Sequence, residues 1–228
     1  MNTLETRYAT ILKDIHDACL SYQRDPNDVR LLAVSKGHHY SSIEQLYALG
    51  QRRFGENYLK EALDKQAQLS ELDIEWHYIG SIQSNKTTLI AQHFSWVHGI
   101  DRLKIAQRLN DQRDNQQPPL NVCLQINLNL EQSKSGIDAN DALTLAKAVA
   151  TLPNLQLRGL MALPQPESDF SAQQKNFARL RQLRDEINAS GLNLDSLSMG
   201  MSNDFHAAIA EHSTHLRIGS ALFGQRQN

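Results

Sequence analysis

Leu31-Leu32-Ala33-Val34-Ser35-Lys36-Gly37-His38 is a short continuous apolar run closed by a polar turn. That is how a strand buried on both faces reads. An open dinucleotide-binding sheet normally carries a glycine-rich turn after its first strand, and this turn holds one glycine. Upstream, Leu4, Tyr8, Ile11, Leu12, Ile15 and Cys19 recur at helical spacing and predict an amphipathic helix ending before Asp25-Pro26. Downstream, strands are predicted at 53–55, 75–79, 96–99, 120–127, 155–160, 194–198 and 215–218. Helices fall between them: around 43–49 and 59–69, a weak one at 87–92, then 101–109, 138–152, around 177–187 and a short last one. With the opening segment that makes eight strands alternating with helices. In 228 residues this predicts one domain spanning 1–228, a (β/α)8 TIM-type barrel with an extra N-terminal helix.

Composition narrows the partners. Hydrophobic residues make up 40% of the chain and charged residues 21%, enough for a sizeable core, so disorder is excluded. Net charge is −2, with 23 basic and 25 acidic residues spread throughout, leaving no electrostatic footprint for nucleic acid or an anionic membrane. A small-molecule partner fits. Cys19 and Cys123 have no zinc or redox spacing, and no apolar run reaches the length of a signal core or membrane span. Cytoplasm is the expected location.

In such a barrel the chemistry collects at the carboxyl ends of the strands. Lys36 ends the first strand, Asn57 follows the second, His77 and Gly80 close the third, His98 ends the fourth and Asn127 the fifth. Met161, Ser198 and Arg217 mark the last three. A lysine ending an apolar strand is partly desolvated, which disfavours its charge and suits it to Schiff-base chemistry; the ordinary alternative is a lysine that snorkels to solvent. After strand seven, Ser198-Met199-Gly200-Met201-Ser202-Asn203-Asp204 runs into a helix. Ser202 is the expected N-cap, with Gly200 permitting close approach of a phosphate to free N–H groups. Arg217-Ile218-Gly219-Ser220 is a second glycine-and-hydroxyl turn, at the habitual phosphate site of barrels. Arg217 either faces a heteroaromatic nitrogen or makes a structural ion pair. His77 and His98 read as hydrogen-bonded structural residues, and His38, His39, His212 and His215 show no metal-ligand pattern.

The segments LLAVSK at 31–36, FGENYLKEA at 54–62, WHYIGSIQSNK at 76–86, GLMALP at 159–164, SMGMSNDFHAAI at 198–209 and RIGSALFG at 217–224 carry a resemblance over almost the whole chain. Through them it resembles the pyridoxal phosphate homeostasis proteins, also called proline synthetase co-transcribed homologues. The resemblance implies a fold-type III barrel like the N-terminal domain of alanine racemase, with pyridoxal 5′-phosphate (PLP) held as an internal aldimine on Lys36. It implies phosphate contacts from Ser202, Gly219 and Ser220, further contacts from Asn57, Met201 and Ser198, and Arg217 beside the pyridine nitrogen. An arginine there disfavours protonation of the ring and weakens it as an electron sink. Departures are local: Gly37-His38-His39 follow the lysine where a threonine and a proline are common, and Ser220 replaces a threonine but keeps the hydroxyl. The sequence stops soon after strand eight, short of the β-rich domain that completes racemase sites.

The implied role is a PLP carrier in vitamin B6 homeostasis. It would be a monomer that holds, buffers or delivers the cofactor, with PLP-dependent apo-enzymes as acceptors, no catalytic residue and no committed turnover. The alternative is a slow PLP-dependent racemase-like enzyme in which His77 or Lys134 reaches the substrate Cα. A third class is a sugar-phosphate barrel enzyme that uses Lys36 without PLP. Lys60, Lys65, Lys86 and Lys134 are the lysines open to a second cofactor molecule.

Overall fold

The opening helix α1 (Leu4–Ser21) turns Tyr8, Ile11, Ile15, Ala18 and Cys19 inward, and Thr3 caps it by accepting the Thr6 N–H. In the computed structural model, which describes residues 3–128 and 135–224, strands and helices then alternate to the end. The first half comprises β1 (Arg30–Val34), α2 (Tyr40–Ala48), β2 (Arg53–Glu56), α3 (Leu59–Gln68), β3 (Glu75–Tyr78), α4 (Thr87–His93), β4 (Trp96–Ile100) and α5 (Leu103–Gln112). The second comprises β5 (Leu120–Ile126), α6 (Ala142–Ala150), β6 (Leu155–Ala162), α7 (Phe170–Ala189), β7 (Ser196–Ser198), α8 (Phe205–Ala210), β8 (His215–Ile218) and α9 (Ser220–Phe223). The strands form a closed barrel in sequence order, and β8 closes on β1 in parallel, with Arg30 opposite His215 and Leu32 opposite Arg217. The expected (β/α)8 barrel is present.

Three boundaries differ from expectation for local reasons. Asp138 caps a single 3-10 turn at Ala139–Asp141 by accepting the Asn140 N–H, which delays α6 to Ala142. β7 is shorter than 194–198 because the Asn188 side chain takes the Leu194 N–H (2.7 Å) and donates to the Leu194 carbonyl (2.9 Å). Those backbone groups are thereby unavailable to the sheet. α9 is one turn long, too short to leave a periodicity in the sequence. No helix among the described residues is long and apolar enough to cross a membrane.

Side-chain alternation along the strands divides the interior into two chemistries. On β3, Trp76 packs against Phe54 and Tyr78 meets Phe94 edge-on, in the apolar layer under the helices. Between them His77 turns the other way and stacks on Trp96. The helix-facing layer is one continuous hydrophobic cluster, whereas Trp96, Cys123 and Met161 form a small separate cluster inside the barrel. Buried His77, His98, Ser198, His215 and Arg217 accompany it. A polar interior of this kind survives only if its groups are hydrogen-bonded.

The turn leaving β7 depends on Gly200. Its φ is +94°, and a Cβ there would lie 2.6 Å from Ala208 Cβ and 2.9 Å from Leu216 Cδ2. Gly200→Ala adds left-handed backbone strain to overpacking, and about 2–4 kcal/mol of stability should be lost. The urea midpoint is the readout; a shift worth under about 0.5 kcal/mol would mean that the turn re-forms without strain.

Candidate functional site

Lys36 stands in the turn after β1, half-buried. Leu32 lies opposite the buried Arg217 in the β1–β8 ladder, so the axis-facing positions of β1 are 32 and 34, and Lys36 follows two residues beyond the strand end. The flanking residues are gripped from behind. Ser35 donates its hydroxyl to Glu56 Oε1 (2.7 Å), and its carbonyl accepts from Lys65 Nζ (2.7 Å). The Gly37 N–H donates to Glu61 Oε1 (2.6 Å). Lys65 Nζ completes the cluster at 2.6 Å from Glu56 and 2.7 Å from Glu61. Burial pushes the Glu56 carboxyl up, against the pull of Lys65, and Glu56 Oε2 has no hydrogen-bond partner among the described residues.

Sequence reasoning missed this cluster. Its only local signal is the i, i+4 pair Glu61 and Lys65 on α3, a spacing common on solvated helix faces. Lys65, open in sequence to a second cofactor molecule, is instead buried and fully engaged. Lys60 is exposed and Lys86 half-buried; Lys134 lies outside the described residues.

Asn57 follows β2 and is held by close backbone contact, since a Cβ on Gly80 would lie 2.2 Å from the Asn57 carbonyl oxygen. Its side-chain Oδ1 is buried and has no hydrogen-bond partner among the described residues. Across the mouth, the turns after β7 and β8 meet as expected. Ser202 Oγ accepts from the Ala221 N–H and from the Ser220 hydroxyl, each at 3.3 Å. Ser202 is not the N-cap of α8, however. Asp204 occupies that position, and its carboxylate takes the Met201 N–H at 2.6 Å, closing the turn, while Ser202 meets the first residues of α9. Gly219 lies against the end of β1, where a Cβ would come 3.3 Å from the Val34 carbonyl oxygen.

Arg217 is 5% exposed. Nη1 donates to the Ser198 carbonyl (2.5 Å) and hydroxyl (2.7 Å), and Nη2 donates to the Ala162 carbonyl (2.9 Å). These acceptors are neutral, and among the described residues Arg217 makes no structural ion pair. Burial lowers its pKa to about 10, with Asp204 opposing, which leaves it a cation at neutral pH. Met161 joins Trp96 and Cys123 inside the barrel. Beside β5, Asn127 donates its N–H to the Ile137 carbonyl (2.9 Å).

The histidines divide as their surroundings dictate. His77 is fully buried, with its two ring nitrogens at Glu75 and His98, so it is no candidate to reach a substrate at the mouth. His215, which carried no assignment in sequence, is also fully buried and packs against Trp96, His77 and His98. His39 caps α2 and His38 stacks on Phe223. Among the described residues no group of three or more His, Cys, Asp or Glu is placed to hold a metal ion.

Residues 20–227 match the family described as alanine racemase, N-terminal domain. The pyridoxal phosphate homeostasis protein of Pseudomonas aeruginosa is 54% identical over 226 residues, covering 99% of this chain and 97% of that protein. Its counterpart in Escherichia coli K12 is 48% identical over 234 residues, covering 99% and 98%. Among solved structures, PipY of Synechococcus elongatus PCC7942 with PLP bound aligns at TM-score 0.82 and 37% identity, covering 92% of this chain and 100% of that one. Alanine racemase of Clostridium difficile 630 shares the fold at TM-score 0.72 and 14% identity, with 95% of this chain and 57% of that one covered.

Proposed function

We propose, given that this chain belongs to the pyridoxal phosphate homeostasis proteins of the alanine racemase N-terminal domain family, that it binds pyridoxal 5′-phosphate at the barrel mouth and serves vitamin B6 homeostasis. The observation that carries this reading is the convergence of sequence-distant groups at one end of the barrel. The Lys36 turn, the Ser202–Ser220 contact and the buried cation Arg217 all lie at strand carboxyl ends.

The residues present fit the cofactor. Asn57 Oδ1 is a buried acceptor without a partner among the described residues, which a ligand hydroxyl would satisfy. The Ser202 and Ser220 hydroxyls, with the Gly219 turn, offer small polar groups to a phosphate. Ser198 holds Arg217 through its carbonyl and hydroxyl, and Met201 precedes Ser202 in the turn after β7. When bound, PLP supplies an aldehyde that condenses with an amine, and a ring that withdraws electrons according to the protonation of its nitrogen. Lys36 is the amine that anchors it. Arg217, a donor-only guanidinium held by neutral acceptors, orients the ring and opposes its protonation, which favours storage over carbanion chemistry. The same reading makes the protein a cytoplasmic monomer that hands PLP to apo-enzymes; two buried free cysteines suit a reducing compartment.

Borohydride reduction followed by peptide mass spectrometry tests the proposal. A pyridoxyl phosphate adduct on Lys36, abolished in Lys36→Ala, is expected. A protein that stays colourless and unmodified with excess cofactor overturns it in favour of the sugar-phosphate reading. Incubation with L-alanine in deuterated buffer separates carrier from racemase: Cα exchange that disappears in Lys36→Ala would establish the enzyme. Ser202→Ala removes one hydrogen bond to a charged group, worth about 1.5–3 kcal/mol, so PLP affinity should fall roughly 10- to 150-fold. Unchanged affinity in a cofactor titration would exclude Ser202 from the phosphate site.

A further inference from the structure

A hydrogen-bond chain, half-exposed at Glu75 and buried from His77 onward, crosses the barrel from the start of β3 to Arg217. Glu75 Oε1 lies 2.8 Å from His77 Nε2, and His77 Nδ1 lies 2.9 Å from His98 Nε2. His98 Nδ1 is 2.8 Å from Ser198 Oγ, which is 2.7 Å from Arg217 Nη1. Both ends are one-way groups: a guanidinium only donates and an ionised carboxylate only accepts. Burial alone would raise the Glu75 carboxyl, but the His77 hydrogen bond and the charges of Arg53 and Arg30 hold it below its ordinary range. Arg53 Nε sits 3.2 Å from it.

The tautomers follow from either end. Burial lowers the pKa of His77 and takes that of His98 well below the ordinary histidine value, so each ring is neutral and carries one N–H. From Glu75, His77 must carry its proton on Nε2. Its bare Nδ1 then accepts from His98 Nε2–H, and the bare His98 Nδ1 accepts the Ser198 hydroxyl proton. From Arg217, Ser198 Oγ accepts from the guanidinium and turns its single proton toward His98 Nδ1. The two ends demand the same arrangement, although they lie on different strands at opposite ends of the relay.

We propose that Glu75, His77, His98 and Ser198 form a one-way relay in which Glu75, at the start of β3, is a positioning residue for Arg217 at the other end. Every donor points toward Glu75 and every acceptor lone pair toward Arg217, so the successive dipoles reinforce one another between a cation and an anion. Trp96, stacked on His77 at 5.4 Å, and His215, 6.0 Å from it, complete the ring surroundings. The effect on the cofactor rests on the function proposed above; the relay itself does not.

¹⁵N NMR of histidine-labelled, cofactor-free protein at neutral pH reads the tautomers directly. Nε2–H with a bare Nδ1 is expected at both His77 and His98. A proton on Nδ1 of either ring, or a doubly protonated ring, overturns the relay. Glu75→Ala should give mixed tautomers at both rings and broaden the Arg217 side-chain N–H signals. Glu75→Gln, whose amide oxygen still accepts, should keep the wild-type tautomers. If Glu75 serves folding alone, both variants lose stability with tautomers and Arg217 signals unchanged, which overturns the positioning role. In loaded protein, Glu75→Ala should shift the absorption maximum of the bound cofactor, and an identical maximum breaks the link to the ring site. Failure of wild-type protein to take up PLP would instead overturn the proposed function, leaving the ¹⁵N result to decide the relay.

Discussion

Lys65→Ala is expected to destabilise the fold by about 3–5 kcal/mol in equilibrium urea unfolding. The Glu56 side chain is 0% exposed and that of Lys65 6%, so deleting the ammonium strands a carboxylate in the layer between barrel and helices. The loss reflects the abandoned partner more than the worth of the pair. Replacing both together with apolar side chains, Glu56→Leu with Lys65→Met, should therefore recover much of it. The single variant should also be pH-dependent. With Glu56 pushed up and its cation gone, the folded state binds a proton that the unfolded state has released above its ordinary pKa. Stability is then greatest at low pH and falls as pH rises through the raised folded-state value. A loss under about 1 kcal/mol would show that water reaches the cluster.

Acidification is the second large effect. His77, His98 and His215 are buried and held neutral, the last two well below the ordinary histidine value. Below about pH 6.5 the unfolded chain takes up protons that the folded chain refuses, so folding stability declines as pH falls. Above that value it should be flat. Each histidine contributes up to about 1.4 kcal/mol per pH unit and the three together about 4, against a typical total of roughly 5–15 kcal/mol. His215 is the sharpest case, because its Nε2 has no hydrogen-bond partner among the described residues to receive an added proton. Urea unfolding at pH 7.5, 6.0 and 5.0 measures the slope, and His215→Phe should reduce it by about a third. Equal stability at all three values would mean that the histidines charge in place.

The parts legible in the sequence were those with a local signature. Strands buried on both faces wrote themselves as apolar runs, such as Leu31–Val34 and Leu120–Ile126, and helices announced themselves by period. Lys36 and Arg217 stood out because a long charged side chain at the end of an apolar strand is conspicuous. Ser202 was expected as a helix cap, but Asp204 takes that position, and Ser202 instead meets Ser220 and Ala221 across the mouth. Glu56, the last residue of β2, carried no reading of its own in the sequence. Its buried contact with Lys65 follows from packing α3 behind the Lys36 turn.

The amino-acid sequence by itself determined the barrel, because hydrophobic periodicity acts over a few residues and every βα unit repeats the same local solution. It also determined which side chains stand at the strand ends. Tertiary structure alone decided how those side chains are wired. Glu75, His77, His98, Ser198 and Arg217 become one chain only when four strands close around a common axis. Hydrogen-bond polarity depends on which donor meets which acceptor across that axis, and no spacing along the chain encodes it.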